Sequence, residues 1–275
     1  MRGCGSASHI KMIRLRLAWR LARVIVHLLA GLGTCALVFP WARRGLRDAA
    51  TRRWSRRLLA ICNVRVEEAA GDPAAGDPAA GVPALEHALF VANHISWLDI
   101  FVINSLHPCR FVAKAEIRAW PVLGWLARAA GTVFIARGNR RELRHIFKGI
   151  VSVLAQGERV AFFPEGTVAQ QGSVLPFHAN LFEAAIDARV PLQPCALAYL
   201  DEAGSFHRGV DYTGDVSFVD SILTILKGPP VRARLACLAP LAGAEAHRRE
   251  LAQAAHDAIQ AALSPAGRPA EAASL

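Results

Sequence analysis

Lysine is scarce in this chain. Of its 32 basic residues only four are lysine, at positions 11, 114, 148 and 227, and the rest are arginine. With Ala, Gly and Pro so frequent, part of that basicity reflects overall composition rather than a dedicated surface. The first 23 residues contain no acidic side chain. The six cysteines include no C-x-x-C pair, which excludes a zinc spacing and argues against a disulfide framework. Long apolar runs are also few. A polytopic transporter needs many of about 20 residues, and one candidate is present. No G-x-S-x-G elbow occurs, so no serine nucleophile of that type is expected.

The chain is nevertheless 53% apolar, which excludes intrinsic disorder. Its 275 residues allow one large domain or two small ones. A formal charge of +10 suits anionic lipid, nucleic acid or an acidic substrate. Cys35, Cys195 and Cys237 lie in apolar runs, which predicts buried inert thiols and a reducing compartment.

The one long apolar stretch runs from Val24 to Ala42, interrupted only by His27 and Thr34. Arg14, Arg16, Arg20 and Arg23 precede it, and Arg43, Arg44 and Arg47 follow. It is long for a signal peptide and ends without a small-residue cleavage site. Basic residues on both flanks predict a helix or helical hairpin lying in or dipping into an anionic leaflet. A buried core helix with basic ends is the alternative. Gly31-Leu32-Gly33 mimics a dinucleotide-binding turn but lacks a preceding strand, so close helix packing is the better account. Residues 69–84 repeat a GDPAA unit and read as a surface insertion.

Beyond that insertion, apolar strands alternate with helical patterns. Strands are expected at 88–92, 110–113, 132–136, 159–163, 192–199 and 231–238. Helices are expected at 140–155, 181–188 and 244–263, the first with Leu143, Ile146, Phe147, Ile150, Val151 and Leu154 on one face. The pattern predicts an α/β domain with a mostly parallel sheet flanked by helices. The expected division is a membrane-associated segment 1–60, an α/β domain 61–263, and a tail 264–275.

Sites in open α/β sheets form at the carboxyl ends of strands. Asn93-His94-Ile95-Ser96-Trp97-Leu98-Asp99 follows one such strand directly. Residues five apart do not stack on one helix face. The segment must therefore turn, with a helix starting around Ser96, to bring Asp99 back beside His94. A carboxylate on one ring nitrogen fixes the tautomer and stabilises the imidazolium formed when the other nitrogen takes a proton. Phe163-Pro164-Glu165-Gly166-Thr167 follows another strand, with Glu165 and Thr167 expected at the rim of a tight turn.

Four segments taken together resemble the glycerolipid acyltransferase family, the one that contains bacterial 1-acylglycerol-3-phosphate acyltransferase. They are Asn93-His94…Asp99, then Gly131, Phe134, Ile135 and Arg137, then Phe163 to Thr167, then Val190-Pro191-Leu192-Gln193-Pro194, in the family order. The resemblance covers roughly residues 85–200. It implies that His94 removes the proton from an acceptor hydroxyl and that Asp99 orients it. The alkoxide would attack an acyl thioester directly, without an acyl-enzyme. The resemblance further implies that Arg137 binds an acceptor phosphate, a role suited to its bidentate fork, that Lys114 assists, and that Glu165, Gly166 and Thr167 shape the acceptor pocket. Many members follow E-G-T with Arg, whereas this chain has Val168. The resemblance implies a membrane-bound 1-acylglycerol-3-phosphate O-acyltransferase of phospholipid biosynthesis, and that departure keeps a related lysolipid, such as lyso-ornithine lipid, as the alternative acceptor.

The same resemblance implies an acyl carrier protein or coenzyme A thioester as cosubstrate, with no metal or other cofactor, and a lysophospholipid acceptor held in a membrane. The expected location is the cytoplasmic face of a bacterial inner membrane. A non-catalytic lipid-binding protein is the competing reading, but such a module has no need of the His94/Asp99 pair. The N-terminal arginines adjoin an apolar segment rather than interleaved aromatics, so no nucleic-acid partner is expected.

Overall fold

Short runs dense in β-branched and aromatic residues build one seven-stranded sheet. A computed structural model describes residues 4–69, 81–135, 140–243 and 246–264, with the side chains of 4–10, 13 and 140–146 left aside. Its strands are β1 (Val64–Glu68), β2 (Leu89–Ala92), β3 (Arg110–Lys114), β4 (Val133–Ile135), β5 (Val160–Phe162), β6 (Leu192–Leu200) and β7 (Val231–Cys237). Its helices are α1 (Cys4–Leu37), α2 (Arg44–Ile61), α3 (Asp99–Leu106), α4 (Leu123–Ala129), α5 (Arg140–Ala155), α6 (Glu183–Ala188), α7 (Phe218–Lys227) and α8 (Arg248–Leu263). The strand order is β1-β7-β6-β2-β5-β3-β4, and every pairing is parallel except β6 with β7. The expected α/β class with a mostly parallel sheet is what the chain adopts.

Successive side chains of a strand face opposite ways, and here both faces are covered. Ala88, Phe90 and Ala92 enter a core shared with α2, α3 and α7. Leu89 and Val91 enter a second core with α5, α6 and α8. Burial on both sides explains why β2 reads as a continuous apolar run rather than an alternation. Each fully buried Leu or Phe contributes about 1.5–3 kcal/mol relative to exposure.

Three elements lie outside the expectations. β1 escapes notice because it pairs on one side only and carries exposed Arg65, Glu67 and Glu68 around buried Val64. α4 is short, and α7 is set off by a Ser217 cap whose hydroxyl accepts the Asp220 N–H. The last helix starts at Arg248 rather than 244, because His247 and Glu250 form a capping box there. α6 is likewise shortened to Glu183–Ala188, preceded by a 3-10 turn at Ala179–Phe182. Contacts run across residue 60, since α2 packs on α3 and β1. The insertion leaves and returns beside β7: Ala69 donates to Leu235 O at 2.8 Å and Val82 to Cys237 O at 2.7 Å. Residues 70–80, most of the repeat, lie outside the described residues, as do Leu143 and Ile146 as side chains and the tail from 265.

The apolar stretch forms one continuous helix, α1, and after a turn at residues 38–43 the chain returns as the Arg-rich α2, which packs on α3 and β1. Residues Arg14–Leu37 are long and apolar enough to cross a membrane, and little of that stretch is fully buried, one side being exposed and the other half-buried. Trp19, Ile25, Val26, Leu29 and Trp41 stand in the open, which excludes the alternative of a buried core helix. The inner side of α1 packs on α2, α4 and α7. At the crossing, Trp54 Nε1 donates to His27 O at 3.2 Å and the two rings stack 4.6 Å apart. Gly31 makes this approach possible, since a Cβ there would lie 2.6 Å from Trp54 Nε1. The Gly31-containing stretch is therefore a helix-packing element. Cys62, Cys109, Cys195 and Cys237 are buried free thiols, and Cys35 is half-buried and free.

Candidate active site

Because β2, β5, β3 and β4 run parallel, the segments leaving their carboxyl ends share one edge of the sheet. β2 ends at Ala92, and the chain turns through residues 93–98 before α3 begins at Asp99. The helix starts three residues later than the spacing suggested. The Asp99 carboxylate claims the N–H groups of Ile95 (2.7 Å) and Ser96 (3.0 Å), which holds those residues in a turn instead of a first helical turn.

That turn brings the ring back as expected. His94 Nδ1 lies 2.7 Å from Asp99 Oδ2. Asp99 is fully buried, whereas the His94 side chain keeps 20% of its surface exposed. A carboxylate on Nδ1 sets the tautomer in which Nδ1 carries the proton and Nε2 is free to accept one. The ring stacks on Phe163 with centroids 4.0 Å apart and 8° between planes. Phe163 in turn stacks on Phe111, 5.9 Å away.

The segment after β5 closes against this turn. Glu165 Oε1 accepts the His94 N–H at 2.7 Å, and Oε2 accepts the Leu175 N–H at 2.8 Å. Ala169 N–H donates to His94 O at 2.7 Å. Glu165 is therefore not at the rim, as the turn alone suggested, but 4% exposed. Two backbone donors draw it inward. Burial pushes its carboxyl above the ordinary range, against the opposing effect of those hydrogen bonds. Gly166 turns the chain at φ +67°, a conformation that a side chain adopts rarely, and Thr167 stands exposed at the rim as expected.

Lys114 ends β3 on the same sheet edge and is exposed, and no hydrogen bond or ion pair joins it to His94 among the described residues. Arg137 follows β4 but lies outside the described residues. Three supporting residues were not singled out by the sequence. Asn93, noted only as part of its motif, bridges β2 to β6: its Nδ2 donates to Leu197 O (2.9 Å) and its Oδ1 accepts the Leu197 N–H (2.8 Å). Tyr199 on β6 donates its hydroxyl to Asp99 Oδ1 at 2.7 Å. Gln171 accepts the Tyr199 N–H at 2.7 Å. The last two lie 100 and 72 positions from Asp99 along the chain, and no local spacing could reveal them. No group of three or more His, Cys, Asp or Glu side chains placed to hold a metal is found among the described residues.

A histidine held by a buried carboxylate at the edge of a parallel sheet, beside a loop closed on its backbone, is an arrangement suited to deprotonating a hydroxyl. The model of the Acyltransferase family matches residues 79–198. Over 266 residues the chain is 34% identical to the lyso-ornithine lipid O-acyltransferase of Pseudomonas aeruginosa, covering 94% of this chain and 98% of that one. Over 159 residues it is 40% identical to the 1-acyl-sn-glycerol-3-phosphate acyltransferase of Neisseria meningitidis, covering 57% and 62% respectively. The crystal structure of PlsC, the 1-acyl-sn-glycerophosphate acyltransferase of Thermotoga maritima, superposes with a TM-score of 0.64 at 20% identity, over 90% of this chain and 93% of that one. That likeness establishes a shared fold. The protein is an O-acyltransferase, and it belongs to the PlsC-like glycerolipid acyltransferase family.

Proposed function

We propose that the enzyme transfers an acyl chain from a thioester to a hydroxyl of a membrane lysolipid, with His94 as general base. The observation that carries this reading is the 2.7 Å contact between His94 Nδ1 and the buried Asp99 carboxylate. It leaves Nε2 as the proton acceptor. In the proposed step Nε2 takes the acceptor hydroxyl proton as the oxygen attacks the thioester carbonyl. Asp99 stabilises the imidazolium, and collapse of the tetrahedral intermediate releases a thiolate that the imidazolium then protonates. General base catalysis of this kind contributes about 10²–10⁴-fold. Lys114, at the end of β3, and Arg137 would bind an anionic group of the acceptor, a carboxylate or a phosphate. Gly166 and Thr167 would shape its entry, and Glu165 would hold the loop that forms the wall. The thioester donor is acyl carrier protein or coenzyme A.

Lyso-ornithine lipid is the acceptor we favour. The Pseudomonas relative with that activity in its name aligns nearly end to end, and Val168 removes one cation otherwise available for a phosphate. Lysophosphatidic acid is the second reading, favoured by the 40% identity to the Neisseria enzyme over 159 residues. The exposed apolar α1 with its arginines supports action at a membrane, and we place the enzyme on the cytoplasmic face of the inner membrane. Purified full-length protein, one labelled acyl thioester and a panel of lysolipids test the proposal. Turnover confined to lysophosphatidic acid would select the second acceptor. No turnover on any lysolipid, with either donor, would sink both.

A further inference from the structure

We infer that Tyr199 is a positioning residue for acyl transfer, setting the orientation and charge of Asp99 through its hydroxyl. The inference rests on the proposal that His94 is the base. Asp99 Oδ2 is engaged three times, by His94 Nδ1 and by the Ile95 and Ser96 N–H groups. Oδ1 receives one donor among the described residues, the Tyr199 hydroxyl at 2.7 Å. A carboxylate held by one oxygen can swing about it, and a second anchor fixes its plane and so the ring it orients.

The placement of Tyr199 is over-determined from the backbone. Its N–H donates to Gln171 Oε1 at 2.7 Å, and its carbonyl accepts the His207 N–H at 2.9 Å. Two residues earlier, Leu197 is clasped by Asn93. Residues two apart on a strand face the same side, so the Asn93 clasp on β6 also aims Tyr199 at Asp99. The phenol is fully buried. Burial first, and then the Asp99 charge, push its ionisation well above the ordinary range, so it remains a donor at every pH the enzyme meets.

The hydroxyl has a chemical consequence beyond packing. By donating to Oδ1 it withdraws charge from the carboxylate that faces His94. Without it the carboxylate keeps more of its charge and attracts a cationic ring more strongly, while the alignment of that ring loosens. Tyr199→Phe keeps the ring and removes only the donor. The expected result is a folded enzyme whose kcat falls about 10- to 100-fold, as misalignment of catalytic groups does, with KM for both substrates nearly unchanged. The acidic limb of its pH–kcat/KM profile moves to higher pH.

His94→Ala is measured alongside. If His94→Ala is inactive while Tyr199→Phe keeps wild-type kcat and an unmoved acidic limb, the inference is overturned and the base assignment stands. Should His94→Ala turn over normally, both fall. 3-Fluorotyrosine at position 199, a stronger donor of the same shape, covers the case in which the Phe variant does not fold. It must move the acidic limb to lower pH, and an unmoved limb overturns the inference.

Discussion

The side chain of Glu165 and the backbone of His94 are joined directly, Oε1 accepting the His94 N–H at 2.7 Å. Two motifs 71 residues apart thus form one structural unit: the loop after β5 holds the turn after β2. The other Glu165 oxygen ties in Leu175, so a single buried carboxylate braces three segments.

Replacing His94 by Ala should lower acyl transfer by about 10²–10⁴-fold, the usual contribution of a general base. Circular dichroism and vesicle binding should stay as in the parent, because the ring is partly exposed and the backbone bonds of residue 94 persist. Retained turnover in the purified variant would remove His94 from that role.

Glu165 makes stability depend on pH in a defined sense. Its folded value is raised by burial above the ordinary glutamate value of about 4.3. The folded state therefore binds the proton more readily than the unfolded chain. The resulting stability is fully present below about pH 4.3 and is lost as pH rises through the elevated folded value. Glu165→Gln removes this titration. The Tm difference, parent minus variant, should shrink with rising pH, and a difference that grows would contradict the assignment.

Asn93→Ala should cost both stability and activity. It strips partners from the buried Leu197 N–H and carbonyl, and each unsatisfied buried group costs about 1–3 kcal/mol. Denaturant titration reads the stability loss, and the activity loss follows from the displaced β6. An Asn93→Ala variant as stable as the parent would show that water replaces the clasp.

Gly31 and Gly33 should respond in opposite directions to alanine. In a helix interior Gly→Ala ordinarily stabilises by about 0.5–1 kcal/mol, and nothing lies within 4 Å of a Cβ at Gly33. At Gly31 the new methyl would meet the Trp54 ring, and overpacking of this kind costs about 1–3 kcal/mol. Equal melting shifts for the two variants would refute the hairpin contact.

Arg14 and Arg16 are exposed beside the apolar face of α1. Basic residues at an anionic leaflet are worth about 1 kcal/mol each. The double change to Gln should weaken partitioning onto anionic vesicles roughly tenfold or more at low salt and leave binding to neutral vesicles nearly unchanged. Equal loss on both vesicle types would mean that the arginines act through folding.

Much of the molecule was legible in the sequence because its signals are local. β2 and β5 show as apolar runs, the helical face of α5 as a period, and the His94–Asp99 pair as a spacing after a strand. The motif segments stand out because strand ends and tight turns dictate which residue types they accept. Glu165 was placed at the rim because a Pro-Glu-Gly turn exposes its middle residue unless distant donors draw it in. β1 stayed hidden because an edge strand has little apolar face to display.

By itself, then, the sequence determined an α/β domain, a long apolar N-terminal helix and the pairing of His94 with Asp99. Only the tertiary structure decided that β6 lies beside β2, and with it that Asn93 clasps Leu197, that Tyr199 holds the second oxygen of Asp99, and that Glu165 is a brace. Those partners are set by strand order and sheet register, which depend on how two cores are buried at once on opposite faces of the sheet, and not on the spacing of neighbours along the chain.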